Sequence, residues 1–270
     1  MFKEEQMKRY LMIVVCLTAT MSIGAVMSAG ASASGLPALY ECAKLKKNAA
    51  KKYEGKYEKG CVKENTKGEG QYEIKEGFGK GKTFKAKGKG ANLEAIGVGG
   101  IDCLKSSATG RFTSPTTGDA TATFADCEYS GKKCNSAGAA TGIIVTNPLV
   151  AVDGYLSGKE TLNPKVGAAF SPESGEYLAV FECGPYDFSV TGSVIGEVTP
   201  VNKFTKAAVF AFRQKAIGVQ EWEQFEEGPS QQLTVWACQL CADPKTEGFG
   251  TPADEELEIT AKTEELELKT

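Results

Sequence analysis

Residues 119–125 read DATATFA, and the alternation in this stretch decides the fold class. Ala120, Ala122 and Phe124 fall on one side of an extended chain, and the threonines between them fall on the other. A period of two is typical of a β-strand that turns one face towards a core. The stretch therefore predicts a strand rather than a helix.

The same period recurs in short runs on both sides of this stretch. Turn signals such as Asn147-Pro148 and Gly228-Pro229 separate the runs. One strand and one turn about every ten residues predict an all-β protein, an antiparallel β-sandwich or barrel. The last 20 residues are predicted to form a two-stranded hairpin with its glutamates facing water. The alternating runs are residues 72–75, 177–181, 209–212, 233–236, 257–259 and 265–268.

The absence of histidine from the 270 residues limits the possible chemistry. It excludes Ser-His-Asp and Cys-His nucleophile pairs, a histidine general base and a histidine-ligated zinc ion. Neither a P-loop nor an EF-hand pattern occurs, and no GxGxxG motif follows a strand. We therefore expect no cofactor, no metal and no enzymatic activity.

The first 33 residues have the pattern of a secretory signal peptide. Lys8 and Arg9 precede an apolar stretch over residues 10–26, and Ala31-Ser32-Ala33 matches a cleavage site. A retained signal anchor is the alternative. With cleavage, the mature chain is expected to be secreted or associated with the cell surface, and not to be held in a membrane.

Charge is distributed unevenly along the chain. Residues 41–90 contain 15 lysines and 7 glutamates, whereas residues 217–270 contain 3 basic and 13 acidic residues. This shift predicts a small basic, disulfide-bonded N-terminal module over residues 34–90. A β-rich domain ending in the acidic hairpin then occupies residues 91–270.

Eight cysteines follow the signal peptide, and an even number in an exported chain indicates disulfides. Cys42 and Cys61 bracket a lysine-rich stretch, and the turn between Cys127 and Cys134 could bring those two sulfurs together. Cys103 and Cys183 could join two strands. The last two cysteines form the motif CQLC, which we interpret as a structural disulfide. The alternative is a redox pair, which requires a helix directly after the motif. The ADPKTEGFGTP sequence that follows is not expected to form that helix. The eight candidates are Cys42, Cys61, Cys103, Cys127, Cys134, Cys183, Cys238 and Cys241.

Several motifs resemble those of a large group of uncharacterised exported proteins from Gram-positive soil bacteria. They are GSVIGEVTPVN over residues 192–202, TNPL over 146–149, FEC over 181–183 and the terminal EELELKT, together with Cys42, YEGKY over 53–57 and Cys61. The resemblance covers residues 38–270. It implies export, a β-rich structure and paired cysteines, and it implies no particular activity.

The lysine-rich stretch before residue 90 is the candidate binding surface. On a strand, alternate lysines would lie on one face and could contact the phosphates of an anionic polymer, such as a cell-wall polymer. The alternative is a solvated edge that prevents aggregation. Nucleic acid is not the expected partner, because the whole chain is acidic with a net charge of -3. The candidate lysines are Lys80, Lys82, Lys85, Lys87 and Lys89.

Two further hypotheses depend on residues 221–227, which read EWEQFEE. Trp222 could contribute to a glycan-binding surface, since aromatic rings stack on sugars. The surrounding glutamates, Glu221, Glu223, Glu226 and Glu227, could serve a glycoside hydrolase if two of them faced one cleft. The first hypothesis remains a non-enzymatic exported protein with a structural or binding role at the cell surface.

Overall fold

The computed structural model describes residues 35–77 and 82–270. Gly35–Thr270 form one compact unit. Its secondary structure is almost entirely strand, and the ladders between its strands are antiparallel, so the all-β antiparallel prediction is confirmed. The predicted signal peptide over residues 1–33 and the candidate Lys80 lie outside the described residues.

Nineteen strands and one helical turn make up the described chain. The first ten strands are β1 (Ala38–Lys44), β2 (Tyr72–Glu76), β3 (Thr83–Ala95), β4 (Gly99–Cys103), β5 (Lys105–Ser114), β6 (Thr117–Ala125), β7 (Glu128–Tyr129), β8 (Lys132–Asn135), β9 (Ile143–Val145) and β10 (Leu149–Ser157). The others are β11 (Lys165–Pro172), β12 (Tyr177–Cys183), β13 (Tyr186–Gly192), β14 (Val194–Thr199), β15 (Thr205–Phe212), β16 (Gln214–Ala216), β17 (Val219–Gln220), β18 (Leu233–Gln239), the helical turn α1 (Pro244–Glu247) and β19 (Phe249–Lys269).

Eight of these strands close into a ring, which we call ring A. Around it the hydrogen-bonded order is β19, β3, β5, β6, β10, β11, β14 and β15, and β15 pairs with β19 again. Of the two predicted architectures, this closure corresponds to the barrel. It follows from the alternation, because each strand has one apolar face to turn inward.

A second closed set of ladders, ring B, shares β3 and β19 with ring A. Its order is β19, β3, β4, β7, β8, β12, β13 and β18, which returns to β19. The two shared strands are the longest among the described residues, at 13 and 21 residues. Each is long enough to take part in both rings, one after the other along its length.

The inward side chains of ring A are a mixture of small residues and phenylalanines. Phe84 on β3 lies opposite Gly110 on β5, and a side chain at position 110 would collide with the Phe84 ring. Gly196 on β14 meets the Phe212 ring in the same way. Glycine therefore makes room for aromatic rings inside ring A.

The core of ring B contains a cluster of stacked aromatic rings. Phe181 and Phe188 stack with their ring centroids 5.4 Å apart, and Tyr129 packs edge-on against Phe188 at 5.1 Å. Val235 and Leu233 on β18 are almost completely buried beside them. This core also contains four of the cysteines.

The predicted C-terminal hairpin is wrong, since residues 249–269 form the single strand β19. Its first part pairs with β18 and β3, its middle with β3 and β15, and its end with β1. The stretch between the two apolar runs, AKTEE over residues 261–265, contains no glycine, proline or asparagine to make a turn. The chain therefore continues straight through it.

The predicted boundary at residue 90 falls inside β3, which runs on to Ala95. The strands on either side of the lysine-rich 45–71 stretch also join the main sheet, because β1 pairs with β19 and with β2. Within that stretch, Gly55 and Gly70 exchange backbone hydrogen bonds of 2.8 Å. The basic segment and the larger β-rich segment thus share one sheet rather than forming separate domains.

The expectation that no helix follows the CQLC motif is also wrong, because the single helical turn α1 begins at Pro244. Asp243 accepts a hydrogen bond from the backbone N–H of Lys245 at 3.0 Å, and Pro244 occupies the first helical position. Both residues are favourable at a helix start. Gly248 ends α1 immediately, so it spans only four residues.

Candidate functional site

A row of lysines lies on the outer face of β3. Lys85, Lys87 and Lys89 are exposed, whereas Phe84 and Ala86 are buried inside ring A. Residues two apart on a strand are about 6.8 Å apart, so the three ammonium groups can form a regular row. The structure thus places these three lysines on one face, which we call the lysine face.

Hydroxyl side chains border the lysine face. In the ladders with β5 and β19, the partners of Lys85 and Lys87 are three hydroxyl residues and a further lysine: Thr109, Ser107, Thr260 and Lys262. Within the described part of the chain, neither the three lysines of the face nor Lys262 has an acidic residue in ion-pairing distance. Lys85 and Lys87 therefore have no ion-pair partner in the described chain and have hydroxyl groups beside them, whereas the exposed Glu258 lies at the bulge opposite Lys89.

Lys82 has a different role from these lysines. Its ammonium group pairs with the Glu41 carboxylate at 2.9 Å, and both side chains are largely buried. The pair connects the start of β3 to β1. Lys82 thus belongs to the interior of the fold and is not available as part of the lysine face.

Trp222 does not lie near the lysine face. It packs against the outer surface of ring A, on Leu156, Ala169 and Ile195 of β10, β11 and β14. Its indole N–H is buried without a hydrogen-bond partner, and the Lys165 ammonium lies 5.2 Å from its ring centroid. The structure therefore places Trp222 mainly as a packing residue, several strands away from the lysines.

The glutamates near Trp222 fasten the 221–232 segment to ring A. The two carboxylate oxygens of Glu226 accept hydrogen bonds from the backbone N–H groups of Gly158 and Lys159, both at 2.9 Å. Glu227 pairs with the Lys159 side chain at 2.8 Å, and Glu221 lies 3.7 Å from Arg213. These carboxylates are engaged in holding a surface segment in place.

Four disulfides join the eight cysteines. Cys42–Cys61 and Cys238–Cys241 agree with the predicted pairs. The other two predicted pairs are wrong, because Cys103 bonds to Cys127 and Cys134 bonds to Cys183.

The reason for the different pairing lies in the β7–β8 hairpin. Cys127 and Cys134 do face each other across it, since the Cys134 N–H donates to the Cys127 carbonyl at 3.0 Å. Each nevertheless bonds to a cysteine on the strand beyond the hairpin, on β4 in one case and on β12 in the other. The two disulfides therefore fix both sides of a short hairpin in ring B.

The CQLC motif closes a short loop after β18. The carboxylate of Asp187 accepts a hydrogen bond from the Cys241 N–H at 3.1 Å, and it lies within 4.8 Å of both sulfurs. The two sulfurs are bonded to each other. As a disulfide they offer no thiolate to a metal ion, so the arrangement supports a structural role.

Two acidic side chains face the interior, and sequence reasoning missed both. Asp153 on β10 is paired with Ala168 on β11, and Ala168 is in turn paired with Gly196 on β14. Burial raises the pKa of Asp153 to about 8. Glu255 on β19 lies in register with Leu93, and burial raises its pKa to about 7. Both side chains are of intermediate exposure, and among the described residues neither carboxyl group has a hydrogen-bond donor or a cation as partner.

The alternation contained a signal for one of these residues. Glu255 has the same parity as Leu257 and Ile259, the two apolar residues of the 257–259 run. Asp153 has the same parity as Leu149 and Tyr155, which are both buried. Extending the apolar face of the 257–259 run by one step would have placed Glu255 inside, whereas residues 149–156 are apolar at both parities and gave no such signal for Asp153.

A third acid, Asp254, is completely buried on the outer face of β19 beneath the β16–β17 hairpin. Its Oδ2 accepts hydrogen bonds from the Gly218 N–H at 2.6 Å and from Gln214 at 3.2 Å. Gln214 also donates to Glu94 at 2.9 Å. Desolvation, reinforced by the charge of Glu94, raises the pKa of Asp254. Its hydrogen bonds identify it as an anchor for the hairpin.

Comparison with protein-family models, with curated proteins and with solved structures finds no match to this chain. Among the described residues, no helix has the length and apolarity needed to cross a membrane. The functional conclusion therefore depends on the geometry of the chain itself.

Proposed function

We propose that the mature chain is an exported, non-enzymatic protein that binds an anionic cell-wall polymer through the lysine face. The observation that carries this proposal is the row of Lys85, Lys87 and Lys89, exposed and without acidic partners in the described chain. Charges so arranged attract a polyanion along the strand direction. The adjoining serine and threonine side chains can donate hydrogen bonds to phosphate oxygens.

Two other observations support parts of this proposal. Four disulfides are typical of proteins that fold in an oxidising compartment, which is compatible with export. Three of the four glutamates proposed for a hydrolase, Glu221, Glu226 and Glu227, pair with groups that hold the 221–232 segment, which favours a binding role over catalysis. A glycan-binding role for Trp222 receives less support, because the ring packs on the fold.

The test is retention on a purified cell-wall fraction at increasing salt. The variant Lys85→Glu/Lys87→Glu/Lys89→Glu should elute at clearly lower salt than the unaltered protein, or fail to bind. A matched control, Lys63→Glu/Lys203→Glu/Lys215→Glu, makes the same change in net charge at three exposed lysines elsewhere. It should bind like the unaltered protein.

If both triple variants lost retention on the cell-wall fraction equally, net charge alone would account for the binding. That result would overturn the assignment to the lysine face. Retention by the lysine-face variant at unchanged salt would overturn the proposal as well. All of the altered side chains are exposed, so each variant is expected to fold.

A further inference from the structure

The two rings enclose a cavity of about 140 Å³ where their interiors meet. Its wall includes Phe84 and Phe212 of ring A and Phe181 and Val190 of ring B. The wall is almost wholly apolar. An apolar cavity of about 150 Å³ in another protein stays dry and takes up benzene, so this one is large enough for a small organic molecule.

Small side chains produce this space. Ala108 on β5 and Ala122 on β6 lie opposite each other in the ladder, and both line the cavity. Ala86 on β3 and Ala120 on β6 also line it. A core normally fills such positions with larger side chains, because unfilled apolar volume destabilises the fold. The alanines therefore keep open a space that packing alone would close.

One acidic side chain, Glu255, lines this apolar cavity. Its inward direction follows from its place on β19 between Ala253 and Leu257, which are both buried. Its side chain is partly buried, and its carboxyl group has no donor or cation as partner within the described chain. A buried carboxyl group without a partner is costly, and a ligand that supplied the partner would remove part of that cost.

We propose that this cavity binds a small apolar molecule with a single amine, whose ammonium group pairs with Glu255. The apolar part would have about six to ten non-hydrogen atoms, in keeping with the cavity volume. An ammonium group is the best complement, because it has donors for both carboxylate oxygens and neutralises the charge. The site is independent of the lysine face, which lies on the outside of β3.

The direct test measures binding of three probes of similar size by ligand-observed NMR and calorimetry near pH 8. Benzylamine carries the apolar ring and the ammonium group, toluene carries the ring alone, and benzoate carries the wrong charge. Benzylamine should bind at least tenfold more tightly than toluene. Benzoate should show no binding.

Two variants locate the binding within the molecule. Glu255→Gln keeps the size of the side chain and removes the charge, so it should lose the preference for benzylamine while toluene binds as before. The control Glu258→Gln makes the same change on the exposed face of the same strand and should leave all three affinities unchanged. Ala122→Leu fills the cavity and should abolish the binding of benzylamine and toluene together.

The proposal is overturned if benzylamine does not bind the unaltered protein at millimolar concentration, or if Glu255→Gln binds it equally well. Continued binding of both probes to Ala122→Leu would place the site elsewhere and would overturn it too. Should Ala122→Leu fail to fold, the smaller change Ala108→Val provides the same test with a weaker expected effect. None of these outcomes depends on binding to the cell wall.

Discussion

Rings A and B share two strands but are stabilised in different ways. Ring B contains two disulfides and an aromatic core around Phe188, which leaves few inward polar groups. Ring A has no disulfide between its strands in the described chain, and its inward residues include alanines, glycines and Asp153. The comparison teaches that one alternating pattern can build a core cross-linked by disulfides or a core without them. We assign ligand binding to the junction where the two interiors meet.

The largest effect is expected from the interior acid of ring A. An aspartate in the unfolded chain titrates near 3.8, whereas Asp153 in the folded chain has a pKa of about 8. Between these values the folded protein keeps a proton that the unfolded chain releases, so stability falls as pH rises. The loss is about 1.4 kcal/mol per pH unit and is complete above pH 8, at a total of the order of 5 kcal/mol.

Asp153→Asn should therefore be much more stable than the unaltered protein at pH 8.5 and little different at pH 4. Glu255→Gln should act in the same direction with a smaller effect, about 3 kcal/mol, since the pKa of Glu255 is about 7. Urea unfolding across this pH range measures both effects. The exposed Glu160→Gln is the control and should follow the unaltered protein. A pH-independent difference for Asp153→Asn would contradict its interior protonation.

A slightly smaller effect is expected from the disulfides of ring B. Cys134–Cys183 closes a separation of 49 residues, and its removal by double serine substitution should lower the free energy of unfolding by about 4 kcal/mol. Removal of Cys42–Cys61, with a separation of 19, should cost about 3 kcal/mol. Denaturant unfolding measures the totals.

Hydrogen exchange can show where the loss of the Cys134–Cys183 disulfide acts. The amides of β8 and β12 should lose protection, whereas those of β10 and β11 in ring A should keep it. Equal loss of protection in both rings would mean that they unfold as one unit. The difference between a ring with disulfides and a ring without them would then have no effect on local stability.

The alternation was sufficient to predict strands such as β6, β12 and β18, because each carries its own apolar face. It was not sufficient for β19, where a polar stretch was interpreted as a turn although no residue favours one. The reason is that pairing with β15 and β3 holds residues 257–262 extended, and such pairing is not visible in one segment. Local pattern predicts strands better than it predicts where a long strand ends.

Some parts of the candidate sites could also be predicted from the sequence, and others could not. The lysine face needs only the period of one strand, so Lys85, Lys87 and Lys89 could be placed on one side from the sequence. The disulfide between Cys134 and Cys183 could not be identified, because it depends on which strand lies beside β8. The cavity likewise arises from alanines on separate strands, and only closure of the rings brings them together.

The smallest effect is expected on the outer cover of ring A, where Trp222 and Phe225 contact the same cluster. Trp222→Phe removes the indole N–H that is buried without a partner, and that gain offsets the loss of ring area. The net change in stability should be below about 1 kcal/mol. Phe225→Ala removes the ring that covers Gly154 and should cost about 2–3 kcal/mol. Thermal unfolding of the two variants gives both values. A large loss in Trp222→Phe would mean that the indole N–H has a partner in solution. That result would assign Trp222 a polar role and would revive the hypothesis of a glycan-binding surface around it.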